Sequence, residues 1–433
     1  MTQPVEPQPA PAGAAKGGRG KLIAIIVVVV VILVAIAAVA IYYLGQPPAA
    51  NTIKLGFTIS LTGTYNIEGT NSLNGIKTAV QWINTHGGVT VNGTSYQISL
   101  DYVDDQSLST NIPTTYTSFV TTDHDQFLLA PYSSGLTAAA APVADTYNTV
   151  MLSHGGASDT IFQHGYKNVV EVLSPASGYL KGALDYLKAN HPTDKIALLY
   201  ANDAFSIICG QGAAAYAASL GLNVVYNQSY PSTATDLSTQ LTAAKNAGAT
   251  DLLGGGHFTD GVAIMQQLTS VAWTPSFVSL LVAVTEGSFQ SQLHAASNNV
   301  TGPSQWETSV SYTPSMATAA GFTWYGPSGA QFTSLYGNLT SSATPTYHSG
   351  EAAATVFILA HAIQVAQSLN TASVRAALGS MKAMTFFGEF QVSSTGLQIA
   401  HSMVVDQWQA GALKVVWPTS VASAAVQYPY TGS

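Results

Sequence analysis

Between Ile53 and Leu281, short apolar runs alternate with longer segments of helical character, and this rhythm constrains the fold more than any other feature. Ile53–Ile59 (IKLGFTI) reads as a buried strand and Thr70–His86 as a helix. Strand segments follow at Gln97–Val103, Gln126–Ala130, Val150–Ser153, Lys195–Tyr200, Asn223–Tyr226, Asp251–Gly254 and Ser276–Leu281. Helices are expected at Asn111–Thr122, Leu136–Tyr147, Ser177–Asn190, Cys209–Leu220, Leu237–Ala247 and Thr259–Ser270. Apolar strands each followed by a helix predict parallel sheets covered on both faces. A body of this length exceeds one comfortable core, so two α/β lobes are expected.

In open α/β sheets, ligands sit beyond the carboxyl ends of the strands. The loops there are Ser60-Leu-Thr-Gly-Thr-Tyr65, Pro131-Tyr-Ser-Ser-Gly135, Ser153-His-Gly-Gly-Ala-Ser158, Asn202-Asp-Ala-Phe205 and Gly254-Gly-Gly-His257. Hydroxyls and free N–H groups at helix N-termini suit a carboxylate or another small polar group, and aromatics add apolar contact. Any one such loop is an ordinary N-cap or turn, because Ser, Thr, Asp and Gly are favoured there anyway. Five in one chain tip the reading toward a binding cleft.

Ahead of this body lies an uncharged, proline-free run, Leu22–Leu44. As a helix it would be about 35 Å long, enough for a hydrocarbon core of roughly 30 Å. Lys16, Arg19 and Lys21 precede it, and no Lys or Arg occurs from Gly45 to Thr52. That asymmetry places residues 1–21, a Pro/Ala/Gly-rich disordered tail, in the cytoplasm and the body outside. The expected location is therefore the cell membrane, single-pass, with an extracellular ectodomain. A signal peptide cleaved after Ala38-Val39-Ala40 competes with this reading, although its apolar core is usually only about 7–15 residues. A pilin-like cut at Gly20-Lys21 would keep the helix.

Composition agrees with an outside location. Beyond Lys21 there are 10 Lys and Arg against 20 Asp and Glu, and Arg375 is the only arginine in the ectodomain. So few cations exclude nucleic acid as a partner. Charged residues are 8% of the chain, where about a quarter is usual, so uncharged polar side chains must wet the surface. Four sequons, at Asn92, Asn227, Asn299 and Asn338, would let glycans help, although a Ser/Thr-rich chain yields some by chance. The pattern suits an archaeal-like or acidophilic cell surface. Cys209 is alone, so it has no internal disulfide partner.

Enzymatic signatures are missing: there is no Gly-x-Ser-x-Gly elbow, Walker A loop or Ser-x-x-Lys. Gly254-Gly-Gly256 lacks the third glycine of a dinucleotide fingerprint. The ten histidines are scattered without paired spacing, so neither a metal nor a cofactor is expected. His154 and His257 fall in cleft loops and could donate hydrogen bonds there. Asp104 and Asp105 are neighbours whose side chains diverge in a strand, which favours strand-end caps over a catalytic pair.

The stretch Leu61–Val89, with Asn74-Gly75, Ala79, Ile83-Asn84 and Gly87-Gly88 in order, resembles the opening of type I periplasmic solute-binding proteins, the Leu/Ile/Val-binding family of ABC importers. The likeness continues through Tyr102-Val-Asp-Asp-Gln-Ser107, Ala130–Gly135 and Tyr230–Leu241 to Phe387–Phe390 and Gln407-Trp408, and so covers Ile53 to about Trp417. It implies an α/β fold of two doubly wound parallel-sheet lobes joined by three crossovers, closing like a hinge. Crossings are placed near Val172–Ser177, Val300–Gln305 and Phe387. Lobe one would be 51–173 plus 302–386, lobe two 174–301 plus 387–417, and 418–433 a C-terminal tail.

The resemblance also implies a site. Tyr132, Ser133 and Ser134, with the loop Gly156-Ala157-Ser158, match the segments that hold an α-carboxylate in the amino-acid binders. The family's threonine falls on Ala157, with Ser158 the nearest hydroxyl. Tyr65, Phe205 and His257 fall where side chains face or cover the ligand. The family's amino-group acid follows the strand matching Phe277–Leu281, and here Leu281 and its neighbours are apolar, with Glu286 the next acid. That departure leaves an amide, an aromatic acid or a neutral solute open beside a branched-chain amino acid. Ser134→Ala is expected to weaken binding. The expected partners are a small-molecule solute and an ABC permease with its ATPase subunits. Two other readings stay open: a receptor's sensor ectodomain and a structural surface protein.

Overall fold

Residues 51–431 are described by a computed structural model; the cytoplasmic tail and the anchor expected at 1–44 lie outside the described residues. The apolar strands build two sheets. The first joins β1 (Thr52–Ile59), β2 (Val89–Val91), β3 (Thr94–Asp104), β4 (Phe127–Leu129), β5 (Met151–Ser153) and β6 (Val169–Glu171) in the order β2-β3-β1-β4-β5-β6. All neighbours run parallel except the β2–β3 hairpin. The second sheet begins with β7 (Lys195–Ala201), β8 (Asn223–Tyr230), β9 (Asp251–Gly255), β10 (Phe277–Leu280) and β11 (Thr301–Ser304). A small sheet, β12 (Thr323–Trp324), β13 (Ala383–Thr385) and β14 (Gly388–Phe390), flanks the first lobe. The antiparallel strands β15 (Val404–Gln409) and β16 (Ala412–Trp417) complete the second sheet, β16-β15-β11-β10-β9-β7-β8.

The central strands of both sheets are buried on both faces, which is why they read as continuous apolar runs. In β7, Ala197 and Leu199 pack with the helix Phe258–Ser270, while Ile196 and Leu198 pack with helices Lys181–Asn190 and Ser206–Leu220. The two-residue period of the strand sorts them. In the first lobe the helix Tyr347–Ala366 lies against the helix Asn66–Thr85. Gly75 permits this approach: a Cβ there would strike the Ser349 carbonyl. Tyr347–Ala366 is the one described helix long and apolar enough to cross a membrane, yet it is mostly buried in this core.

The lobe boundaries shift from their expected positions at two places. Gly302–Ser304 pair with β15 in the second sheet, so the second crossing comes after Ser304, inside the expected Val300–Gln305 but beyond the lobe boundary drawn before Gly302. At Phe387 the chain does not cross: β14 pairs back on β13, Phe390 and Val392 stay in the first lobe's core, and the second sheet is regained only at Val404. Residues 418–431 are no loose tail either. Tyr430 is buried in the second lobe, its N–H donating to Ser276 O at 2.7 Å. Side-chain amides tie the crossovers together. Gln305 accepts from Ser174 N–H at 2.9 Å and donates to Ser174 O at 3.2 Å, and Gln398 donates to Val172 O at 3.0 Å.

Candidate functional site

The loops after β1, β4, β5, β7, β9 and β10 converge where the two sheets present their carboxyl ends to each other. Asp104 and Asp105 fix the first loop. Asp104 Oδ1 accepts from Leu61 and Thr62 N–H, Asp105 accepts from the Thr58 and Ser60 hydroxyls, and Ser107 accepts from Tyr65 N–H. They act as the strand-end caps that their adjacency suggested. Tyr65 is thereby held 4.6 Å from the His257 ring and 5.7 Å from that of Tyr132. Burial, then Asp203, Glu68 and Asp260, push its phenol up to about 12, so it stays neutral.

A small cavity sits between the lobes. Its walls are Tyr132, Gly155, Tyr347, His348 and Glu351 from the first lobe, Tyr179, Phe205, His257 and Val282 from the second, and Leu173 from the crossover. It offers about 10 Å³, room for about one water. The lobes meet around it through hydrogen bonds. Tyr132 OH lies 3.2 Å from His257 Nδ1, Phe258 N–H donates to Glu68 Oε1 at 3.2 Å, and Asn71 Nδ2 donates to Glu286 Oε2 at 2.9 Å. Glu286 Oε1 faces His348 Nδ1 at 2.8 Å.

The polar groups of this region are almost wholly buried. Burial tends to lower the His257 pKa, but Asp203, Glu68 and Asp260 reverse this and raise it. Asp203 feels the converse. Burial would raise it, and His257 with the Ser206 N–H and hydroxyl bring it down to about 2. Burial, with Glu286 adding repulsion, holds the Glu351 carboxyl well above the usual range. Glu351 Oε2, His348 Nε2 and Glu68 Oε2 find no hydrogen-bond partner within the protein.

Of the residues expected in a site, Tyr132, Phe205 and His257 line the cavity, and Tyr65 backs them. The others are elsewhere. Ser133 caps the helix Ser134–Thr146, accepting from Leu136 N–H with φ at +79°. Ser134 Oγ accepts from Ser158 N–H at 3.0 Å, and Ser158 Oγ pairs with Thr160. Gly156 lies against Thr137, while Ala157 and Leu281 are core residues of the second lobe's inner cluster. Gly155 and Val282 reach the cavity instead. His154 is fully buried, and burial takes its pKa down to about 3, which keeps it neutral. The sequence reading missed Tyr179, Tyr347, His348 and Glu351. Their one signal was the spacing of His348 and Glu351, three residues apart and therefore on one helix face. Among the described residues no cluster of His, Cys, Asp or Glu could hold a metal ion.

The sequons differ. Asn92, Asn227 and Asn338 are all exposed, but the Asn92 amide donates to Gln367 O at 3.0 Å, and that of half-buried Asn299 donates to Pro429 O at 3.2 Å.

Residues 52–412 match a family model described as periplasmic binding protein. The Leu/Ile/Val-binding protein homolog 7 of Brucella suis is 23% identical over 413 residues, covering 90% of this chain and 98% of that protein. Among solved structures, the branched-chain amino acid transporter substrate-binding protein LivJ of Streptococcus pneumoniae, in complex with isoleucine, superposes with a TM-score of 0.70 at 20% identity. The match covers 88% of this chain and 100% of that one. A solute-binding protein of an ABC transporter from R. palustris, in complex with benzoate, superposes with a TM-score of 0.69 at 13% identity, covering 88% and 99%.

Proposed function

The chain belongs to the periplasmic binding protein family, and on that premise we propose that it captures a small polar solute between its lobes and presents the closed form to an ABC permease and its ATPase subunits. The observation that carries this reading is the cavity walled by side chains from both lobes and ringed by inter-lobe hydrogen bonds. A solute contacting both walls stabilises the closed arrangement by its extra contacts there and needs no bond to be made or broken. Tyr132, Phe205 and His257 are the proposed contacts from the segments singled out in the sequence, joined by Tyr179, Tyr347, His348 and Glu351.

Branched-chain amino acids, amides and aromatic acids are the solute classes to try first. Relatives of this fold bind isoleucine in one case and benzoate in another. The proposed setting is outside the cytoplasm, with Leu22–Leu44 as the anchor on the strength of its length and flanking charges. Glycans are proposed at Asn227 and Asn338, whose side chains are exposed.

Thermal-shift screening of the ectodomain against those three classes tests the proposal. A rise in melting temperature that saturates with ligand, with no product formed on prolonged incubation, is the expected result. Turnover of a bound compound, or the absence of any stabilising compound, would count against it.

A further inference from the structure

A second cavity shares the first crossover with the solute cavity. Leu173 lines the solute cavity and its neighbour Ser174 lines this other one, so a single crossover segment walls both. It offers about 480 Å³, and small-molecule sites run roughly from 300 to 1,000 Å³. One wall is the hinge itself. His401, on the segment that returns to the second sheet, has its Nδ1 2.9 Å from Ser174 Oγ and its Nε2 3.1 Å from Phe387 O in the first lobe. Another wall belongs to the second lobe, with Lys181 at the start of the helix Lys181–Asn190 and Trp417 at the end of β16. Ile399, which is 58% exposed, joins half-buried Met403 and Trp417 in an apolar surface. Lys181 Nζ sits 5.5 Å from the centre of the Tyr216 ring and forms no ion pair among the described residues. The Ser177 and Ser402 hydroxyls find no hydrogen-bond partner among the described residues. Asp185, the one acid in the lining, already accepts from Tyr216 OH at 2.7 Å.

We propose that this cavity is an effector site for a small carboxylate with an apolar body. Lys181 holds the carboxylate, the Ser177 and Ser402 hydroxyls offer further donors, and the body covers Ile399, Met403 and Trp417. A single negative charge suits the lining, because Lys181 is its one lysine or arginine and Asp185 would repel a second charge. Taking the apolar wall out of water gives such a molecule affinity that a bare inorganic anion lacks. The site is distinct from the one for solute capture, but its effect on closure rests on the capture reading. A swing of the hinge moves Ser174 and His401 relative to Lys181 and Trp417, so the shape of this cavity belongs to the closed arrangement. An occupant that fits it favours that arrangement, and by linkage it raises solute affinity by the same factor as the solute raises its own.

Calorimetry on the full-length protein with 4-phenylbutyrate, 4-phenylbutyramide and inorganic phosphate tests the site. The carboxylate is expected to bind, and the amide and phosphate to bind roughly tenfold more weakly or not at all. K181Q should weaken the carboxylate by roughly tenfold or more. S402W, which fills the cavity from an exposed position, should abolish its binding, with the melting temperature of each variant reporting that it folds. Closure is read by hydrogen exchange at the Phe258 N–H, which donates across the lobes to Glu68. 4-Phenylbutyrate should slow that exchange by roughly threefold or more in the wild-type protein and leave it unchanged in K181Q. Binding of the carboxylate that survives both substitutions overturns the proposal, as do equally tight binding of the amide, no binding of the carboxylate, and exchange that is unchanged or faster with the site filled. Failure of the proposal leaves any stabilising solute from the thermal-shift screen in place. Silence of that screen, with 4-phenylbutyrate still bound through Lys181, removes solute capture but not this site.

Discussion

Two helix N-termini in the first lobe border the cleft, and they treat their polar groups in opposite ways. At Ser133-Ser134 the hydroxyls are used up at home: one caps its own helix, and the other binds Ser158 N–H. At Tyr347–Glu351 a histidine nitrogen and a carboxylate oxygen are buried in the cavity wall and left unmatched. The first end is built to hold the loops in place. The second carries a cost until a water or an incoming group supplies the missing partners. Polar residues near a cleft therefore divide by whether their hydrogen bonds are already made, not by their type.

The largest expected effect comes from cutting the second end off from the opposite lobe. Glu286→Ala leaves the Asn71 amide and His348 Nδ1 without their acceptor, at a cost of about 3 kcal/mol. Urea unfolding should show the loss, and small-angle scattering should show a larger radius of gyration as the lobes part. An unchanged midpoint and radius would mean that these contacts do not hold the closed form.

A second effect concerns pH. Burial, then repulsion from Asp194, raises Asp251 to about 8; burial raises Glu307 to about 7. Glu171, Glu351 and Asp406 are held well above the usual range, each chiefly by burial. In the unfolded chain these carboxyls ionise near pH 4, so above that the native state holds the extra protons and stability falls as pH rises. Buried His154 and His401, pushed down by burial to about 3 and about 4, oppose this only below about pH 6.5, where unfolded histidine charges. The melting temperature should therefore fall steadily from pH 6.5 to 8.5, and less steeply in E351Q. A flat profile in the wild-type protein would remove Glu351 from the set of neutral buried acids.

The smallest effect tests the first helix end. Ser134→Ala strips the buried Ser158 N–H of its acceptor, which moves the expected loss from binding to folding: about 1–3 kcal/mol of stability, with ligand affinity unchanged within twofold. A drop in affinity with stability intact would return Ser134 to the ligand and erase the contrast between the two ends.

The sheets were legible because their strands are short, apolar on both faces and separated by helices, so local pattern and global burial agree. Much of the cleft was legible too, since topology alone places the loops ending at Tyr65, Tyr132, Phe205 and His257 beyond strand ends. The helix Tyr347–Ala366 was not. Sixteen of its 20 residues are buried, so no polar face marks it, and His348 and Glu351 look like stray polar residues in an apolar run. Leu281 and Val282 could not be told apart either, because a one-residue shift in a buried segment changes which side chain meets the cavity. The late return to the second sheet at Val404 depends on β14 pairing with β13, a tertiary choice with no local signature.

The space of about 10 Å³ between the lobes has a kinetic consequence. No solute larger than a water can diffuse into or out of that chamber while the lobes stay together. Arrival and departure must both wait for the hinge to swing. In rapid mixing, the observed association rate should therefore level off at high ligand concentration, at the frequency with which the shut protein opens. A solute already inside would be delivered only as fast as something else, such as a membrane partner, prises the halves apart.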